Sequence, residues 1–186
     1  MELLGNLKNP SVLIIGVFHG DEPQGDYLIR RYLREFSSDN LFIPRLNNSN
    51  TRTNKNGVDL NRNFPTKNWE LTEKNEFFGG DFPASEEETR FVIDVVEKYN
   101  PKSILTLHAP FKVVNYDGDA KILANRISEI IGYPVEENIG YPTPGSFGTW
   151  AGIEKKIPTI TLELDEEVNV EELVEPVFRI FKMLEE

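Results

Sequence analysis

Histidine is scarce in this chain, with two in 186 residues. Each stands beside an apolar, β-branched run. His19 opens HGDE after SVLIIGVF, with Glu22 in H-x-x-E spacing, and His108 closes SILTLH. A third such run, IPTITLEL, carries Glu163 near its end. The chain has no cysteine, so any divalent ion must be held by imidazole and carboxylate. A catalytic zinc takes three protein ligands and keeps a fourth position open for water. His19, Glu22 and His108 form the one histidine-based triad the composition allows. H-x-x-E alone is a weak signal, and a single histidine at a strand end is more often a buried structural residue. The weight comes from three chemically capable residues following three predicted strands, because open α/β sheets bind ligands at the carboxyl ends of their strands.

The elements that would carry these residues alternate. Residues 11–17 read as a buried strand. A helix follows over 22–36, with Tyr27, Leu28, Arg31, Tyr32 and Phe36 near helical spacing and Gly25 weakening its start. Residues 41–46 make a short strand, with Pro44 at an edge or near its end. Residues 47–83 are rich in Asn, Thr, Lys, Gly and Pro, and a loop this long in a compact domain is usually functional. The clearest helix spans 85–100, where Ser85 and Glu88 fit a capping box and Phe91, Val92, Val95 and Val96 form the apolar stripe. Further strands are expected at 103–108, 112–116 and 157–164. Helices are expected at 119–132, ended by Gly132, and from 169 to the end, kinked or restarted near Pro176. A short helix is expected at 149–156. This pattern predicts one α/β domain over 1–186, a mixed and mostly parallel sheet flanked by helices. Trp150 reads as core, and Trp69, Phe77 and Phe78 as core or lid packing. The acids at 86–88 and 165–172 sit at helix starts, where the dipole favours them.

The long loop contains TRTN at 51–54 and NGVDLNRNFP at 56–65. In the order HGDE, TR, GVDLNRNFP, LTLHAP, TLEL, the chain resembles the zinc carboxypeptidases from about residue 12 to 165. Within that family HGDEPQG, VNYDG and GYPTPGSFGTW look most like enzymes that cut the γ-D-glutamyl–diaminopimelate bond of cell-wall peptides. The resemblance implies one zinc ion on His19, Glu22 and His108, and Glu163 as the general base. It implies that Arg52 polarises the scissile carbonyl, that Asn61 and Arg62 grip a free substrate carboxylate, and that Asp59 orients His19. Without it, Arg52, Asp59 and Arg62 would read as solvated loop charges. Tyr141 falls near the place of a substrate-capping tyrosine, with an ordinary loop aromatic as the equal alternative. The resemblance also implies a cis peptide at Ala109–Pro110. It singles out no residue that would read the side chain of diaminopimelate.

Composition narrows the rest. Hydrophobic residues make up 39% and the net charge is -11, which argues against a phosphate backbone or an anionic membrane surface as partner. No apolar run approaches the ~20 residues of a membrane span, and no signal peptide is evident, so a cytoplasmic location is expected. The expected partner is a small peptide with a free carboxylate, of the murein tripeptide kind. Other readings stay open: a general metallocarboxypeptidase, an N-acyl amino acid deacylase, or a catalytically inactive peptide-binding module.

Overall fold

A computed structural model describes residues 1–137, 140 and 142–186. Its strands are β1 (Leu4–Gly5), β2 (Val12–Gly16), β3 (Leu41–Ile43), β4 (Ser103–His108), β5 (Val113–Asp117), β6 (Val135–Glu136) and β7 (Thr159–Glu163). The helices are α1 (Gln24–Glu35), α2 (Glu87–Tyr99), α3 (Lys121–Ile131) and α4 (Val170–Met183). The seven strands form one sheet in the order β1-β3-β2-β4-β7-β5-β6. β3, β2, β4 and β7 run parallel, so their carboxyl ends share one rim. β1 and β5 run against their inner neighbours.

Two apolar layers sandwich the sheet. On one face Ile14, Leu105, Leu107, Ile160, Leu162, Val114 and Tyr116 pack under α1, α3 and α4. On the other, Leu13, Ile15, Leu41, Ile43 and Ile104 pack with Val92, Val95 and Val96 of α2 and with Phe64, Phe147 and Trp150. Strands buried on both faces explain why SVLIIGV and SILTL read as continuous apolar runs rather than alternating ones. Gly25 is tolerated in α1 because the helix crosses β2 closely: a Cβ there would sit 2.9 Å from Gly16 Cα.

Pro44 lies just beyond β3, which is flanked by β1 and β2 and so is not an edge strand. Gly132 ends α3 in the left-handed conformation at φ 80°. Pro176 sits inside α4, which runs through it as one helix rather than restarting. The expected short helix is a π-helical turn at Thr149–Glu154. The Ser85–Glu88 capping box does not form, because loop asparagines take its parts. Asn63 Oδ1 accepts the Glu86 N–H, Asn63 Nδ2 donates to Ser85 Oγ, and Asn54 Nδ2 donates to Glu88. The helix accordingly starts at Glu87.

The long loop carries a single 3-10 turn, Leu60–Arg62. Its order comes from buried asparagines that replace secondary-structure pairing. Asn47 Nδ2 donates to Arg52 O, Asn54 Oδ1 accepts from Asn56 N and Val58 N, and Asn63 Nδ2 donates to Gly79 O. Each satisfies backbone groups that burial would otherwise leave unpaired.

Candidate functional site

β2 and β4 are neighbours, and the chain leaving β2 is bent sharply at Val17, whose φ is 56°. A β-branched residue in this region is strained by roughly 1–3 kcal/mol. The bend turns His19 back over the rim toward His108, and their rings meet edge to face at 5.0 Å. Glu22, on the same turn before α1, reaches both. Its Oε1 lies 2.7 Å from His19 Nδ1 and its Oε2 lies 3.1 Å from His108 Nδ1. The Ala109 N–H donates to Oε2 at 3.2 Å. The Ala109–Pro110 peptide is cis. Phe18 stacks on the His108 ring at 5.4 Å and fixes its plane.

One ligand atom from each of His19, Glu22 and His108 lies within 4.8 Å of the others, and among the described residues no other three such groups meet this way. Burial alone would drive His19 neutral, but its contacts with Asp59 and Glu22 reverse this and raise it to about 9. Burial likewise opposes ionisation of Glu22, and the two imidazoles overcome it, holding the carboxyl at about 2. Two imidazoles and a carboxylate converging on one point are the donor set of a catalytic zinc with an open position.

Glu163 is paired in register with His108 across β4 and β7. It is buried, and its Oε2 has no hydrogen-bond partner among the described residues. Burial raises its pKa, with His108 opposing. An orphaned carboxylate oxygen beside the ligand cluster suits a group that works on water held there.

Asp59 is fully buried beneath His19. Its Oδ1 lies 3.1 Å from His19 Nε2 and accepts the Asn61 N–H at 2.9 Å. Its Oδ2 accepts from Arg52 Nε at 3.0 Å and Nη2 at 2.8 Å. Burial opposes its charge, yet His19, Arg52 and Arg62 hold its pKa well below the usual carboxylate range. Phe77 covers the Arg52 guanidinium at 5.0 Å. Asn61 Oδ1 accepts from Phe147 N, tying the 3-10 turn to the glycine- and proline-rich loop, and Arg62 Nη1 donates to Asn61 O. The structure therefore brings together around one cavity of about 260 Å³ every sequence-predicted ligand and pocket residue except Asp59, which lies behind, and Tyr141, which falls outside the described residues.

Sequence reasoning did not reach the other wall of this cavity. Asn115, Asp117, Glu137 and Thr161 line it. The only available signal was two polar residues at alternate positions in VVNYD, a strand otherwise apolar.

The fold and site define a metal-dependent hydrolase of the carboxypeptidase kind. Residues 44–129 match the model of the zinc carboxypeptidase family. The chain is 33% identical over 178 residues to murein peptide amidase A of Vibrio campbellii, covering 84% of this chain and 70% of that protein. The same enzyme of Escherichia coli K12 is 33% identical over 111 residues, 53% of this chain and 46% of that one. The chain thus belongs to the zinc carboxypeptidase family. The crystal structure of the murein-tripeptide amidase from Escherichia coli O157 superposes with a TM-score of 0.86 at 25% identity, over 99% of this chain and 86% of that one. Bovine thrombin-activatable fibrinolysis inhibitor shares the fold, with a TM-score of 0.75 at 17% identity, over 98% of this chain and 84% of that one. Among the described residues no helix is long and apolar enough to cross a membrane.

Proposed function

We propose that this chain hydrolyses the γ-D-glutamyl–meso-diaminopimelate bond of murein peptides, in the cytoplasm, as part of their recycling. The observation that carries the reading is Glu163, whose unpartnered oxygen adjoins the His19–Glu22–His108 cluster in a relative of murein peptide amidases.

His19, Glu22 and His108 would hold one zinc ion. When bound, zinc supplies a Lewis acid that lowers the pKa of water toward neutrality. Glu163 takes a proton as water adds to the amide carbon, then delivers it to the departing nitrogen as the C–N bond breaks. Its burial keeps the carboxyl basic enough for this exchange. Arg52, held on Asp59 and covered by Phe77, donates to the carbonyl oxygen as negative charge collects there. Arg62 and Asn61 hold the free carboxylate of the leaving amino acid, which a fixed guanidinium fork fits better than an ammonium. Asp59 fixes His19 through Nε2, leaving Nδ1 for the metal. Tyr141 would cap the bound peptide.

The test is release of diaminopimelate from L-Ala-γ-D-Glu-meso-diaminopimelate by zinc-loaded protein, followed by mass spectrometry with and without chelator. Release that chelation abolishes is expected. Intact peptide from protein holding zinc would sink the murein reading, and a panel of carboxyl-terminal peptides and N-acyl amino acids would then separate a general carboxypeptidase from a deacylase.

A further inference from the structure

β4, β7 and β5 lie side by side in that order. β4 runs parallel to β7 and β5 antiparallel to it, so Glu163 has His108 on one side and Val113 on the other. Residues 109–112, which join β4 to β5, therefore arch over the carboxyl end of β7. The arch spans two strand spacings, about 10 Å. The chain leaving β7 starts beneath it with Leu164, whose N–H donates to His108 O at 2.7 Å. Glu163 sits at this crossing with Oε2 unpartnered among the described residues. No side-chain hydrogen bond fixes that oxygen, so its place depends on the backbone around it. Ala109 and Phe111 of the arch line the same cavity, and the Phe111 N–H interacts with the Glu163 carboxylate. Any shift of the arch against β7 therefore changes what surrounds that carboxylate.

An ion pair ties the two together. Lys112, the last residue of the arch, has φ 55°. Glycine holds this conformation without strain and lysine does not. What lysine adds is a side chain that reaches the chain leaving β7. Its Nζ lies 2.8 Å from Asp165 Oδ2 and 3.5 Å from Glu167 Oε2. Asp165 is a firm anchor. It is buried, its Oδ1 accepts the Glu167 N–H at 2.9 Å, and its own N–H donates to Tyr133 Oη at 3.3 Å. Tyr133 in turn packs against the core. Lys112 is exposed, and an ion pair with one exposed partner adds little stability. Fold energetics alone therefore do not account for a strained lysine where glycine would be free.

We infer that Lys112 and Asp165 are positioning residues: their ion pair locks the 109–112 arch onto the strand end that carries Glu163 and so holds that carboxylate beside the His19–Glu22–His108 cluster. This rests on the proposed function, which makes Glu163 the proton carrier. Neither Lys112 nor Asp165 lines the cavity, so the pair acts on the placement of Glu163 and not on the binding of substrate. Small displacements of a reacting group are costly in rate: about 1 Å can cost on the order of a hundred-fold.

The test compares Lys112→Gly, Lys112→Arg, Asp165→Asn and the double variant Lys112→Gly/Asp165→Asn, each zinc-loaded, on the murein tripeptide and the peptide panel. Lys112→Gly relieves the backbone strain as it removes the ion pair, so Tm is expected to stay within about three degrees of the parent. Its kcat is expected to fall about 10- to 100-fold, with KM within about two-fold and zinc still at one ion per chain. Lys112→Arg keeps the charge and is expected to restore most of kcat. Asp165→Asn keeps an oxygen for the Glu167 N–H and should lose kcat as Lys112→Gly does. The double variant is expected to match the slower single variant within about two-fold, because both changes break one interaction. An unchanged kcat in Lys112→Gly, a loss confined to KM, losses that multiply in the double variant, or a large fall in Tm shared by the variants overturns the inference. When the murein tripeptide stays intact but another peptide is cut, the proposed bond falls and the same ratios on that peptide decide the role of the pair. A parent that cuts none of the panel overturns both.

Discussion

Asp59 holds His19 through Nε2 at 3.1 Å while its other oxygen carries Arg52. One buried carboxylate thus sets the tautomer of a metal ligand and the position of the group proposed to face the carbonyl. Asp59→Asn keeps the shape and removes the charge. Zinc affinity is expected to fall about 10- to 100-fold, the usual cost of losing such a partner. Competition with a chromophoric chelator measures it. Unchanged affinity would show that His19 needs no help from Asp59.

Glu163→Gln separates metal binding from proton transfer. The amide cannot accept a proton from water, so kcat is expected to drop about 10²- to 10⁴-fold. Zinc stoichiometry, read by elemental analysis, should stay at one ion per chain, because Glu163 is not among the three converging groups. A variant that turns over like the parent would remove Glu163 from the mechanism.

The residues that bind through side-chain chemistry were legible in the sequence, and those that bind through placement were not. His19, Glu22, His108 and Glu163 stood out because histidine and acids are rare at the ends of apolar strands, and strand ends are where an α/β sheet gathers its ligands. The parallel order of β3, β2, β4 and β7 follows from the alternation of strands and helices. The motifs of the loop at 47–83 were legible but its ordered fold was not, because asparagines that fasten buried backbone look the same in sequence as solvated ones. The failed capping box has the same origin: Ser85 and Glu88 carry the local pattern, but Asn63 and Asn54 compete for them from a distant segment. Asp117 escaped notice because its place on the cavity wall depends on the antiparallel register of β5 against β7, which a local pattern does not record.

Removing the metal should cost stability without unfolding the chain. In the metal-free cluster His19 is held protonated and Glu22 ionised, so the three groups satisfy one another. Far-UV circular dichroism is expected to be unchanged by chelation. Free zinc at about a thousand times Kd adds about 4 kcal/mol by mass action. For a domain of this size, at ~2–4 °C per kcal/mol, that is a Tm rise of roughly ten degrees. Loss of secondary structure on chelation would mean that the cluster is not self-sufficient.

Arg62→Lys tests the carboxylate grip. Arg62 is buried and anchored on Asn61 O, so a lysine there keeps charge but loses the planar fork. The loss of a charge-assisted hydrogen bond, about 1.5–3 kcal/mol, predicts a kcat/KM lower by roughly 10- to 100-fold. Peptides whose terminal carboxylate is amidated should be indifferent to the change. An equal loss on amidated peptides would mean that Arg62 supports the loop rather than the substrate.

The uncompensated charge of Asp117 should be visible as a stability cost. Its folded pKa is about 6 against an ordinary 3.8, raised by burial. A pKa raised on folding means that the protonated form is favoured in the native state. Its contribution is therefore fully present below about pH 4 and is lost as pH rises through about 6. Glu137, Glu163, Arg62 and His108 line the same cavity, but none of them contributes to the shift. Above that window the charge costs about 3 kcal/mol. Asp117→Asn mimics the neutral acid at every pH. In zinc-free protein it should raise Tm by about ten degrees near pH 7.5 and by nothing near pH 4, compared in thermal melts at the two values. A variant equally stabilising at both pH values would point to packing rather than charge. One that is neutral at both would mean that water already solvates Asp117 fully. A stabilisation confined to the higher pH would show that the fold itself leaves the Asp117 charge unpaired.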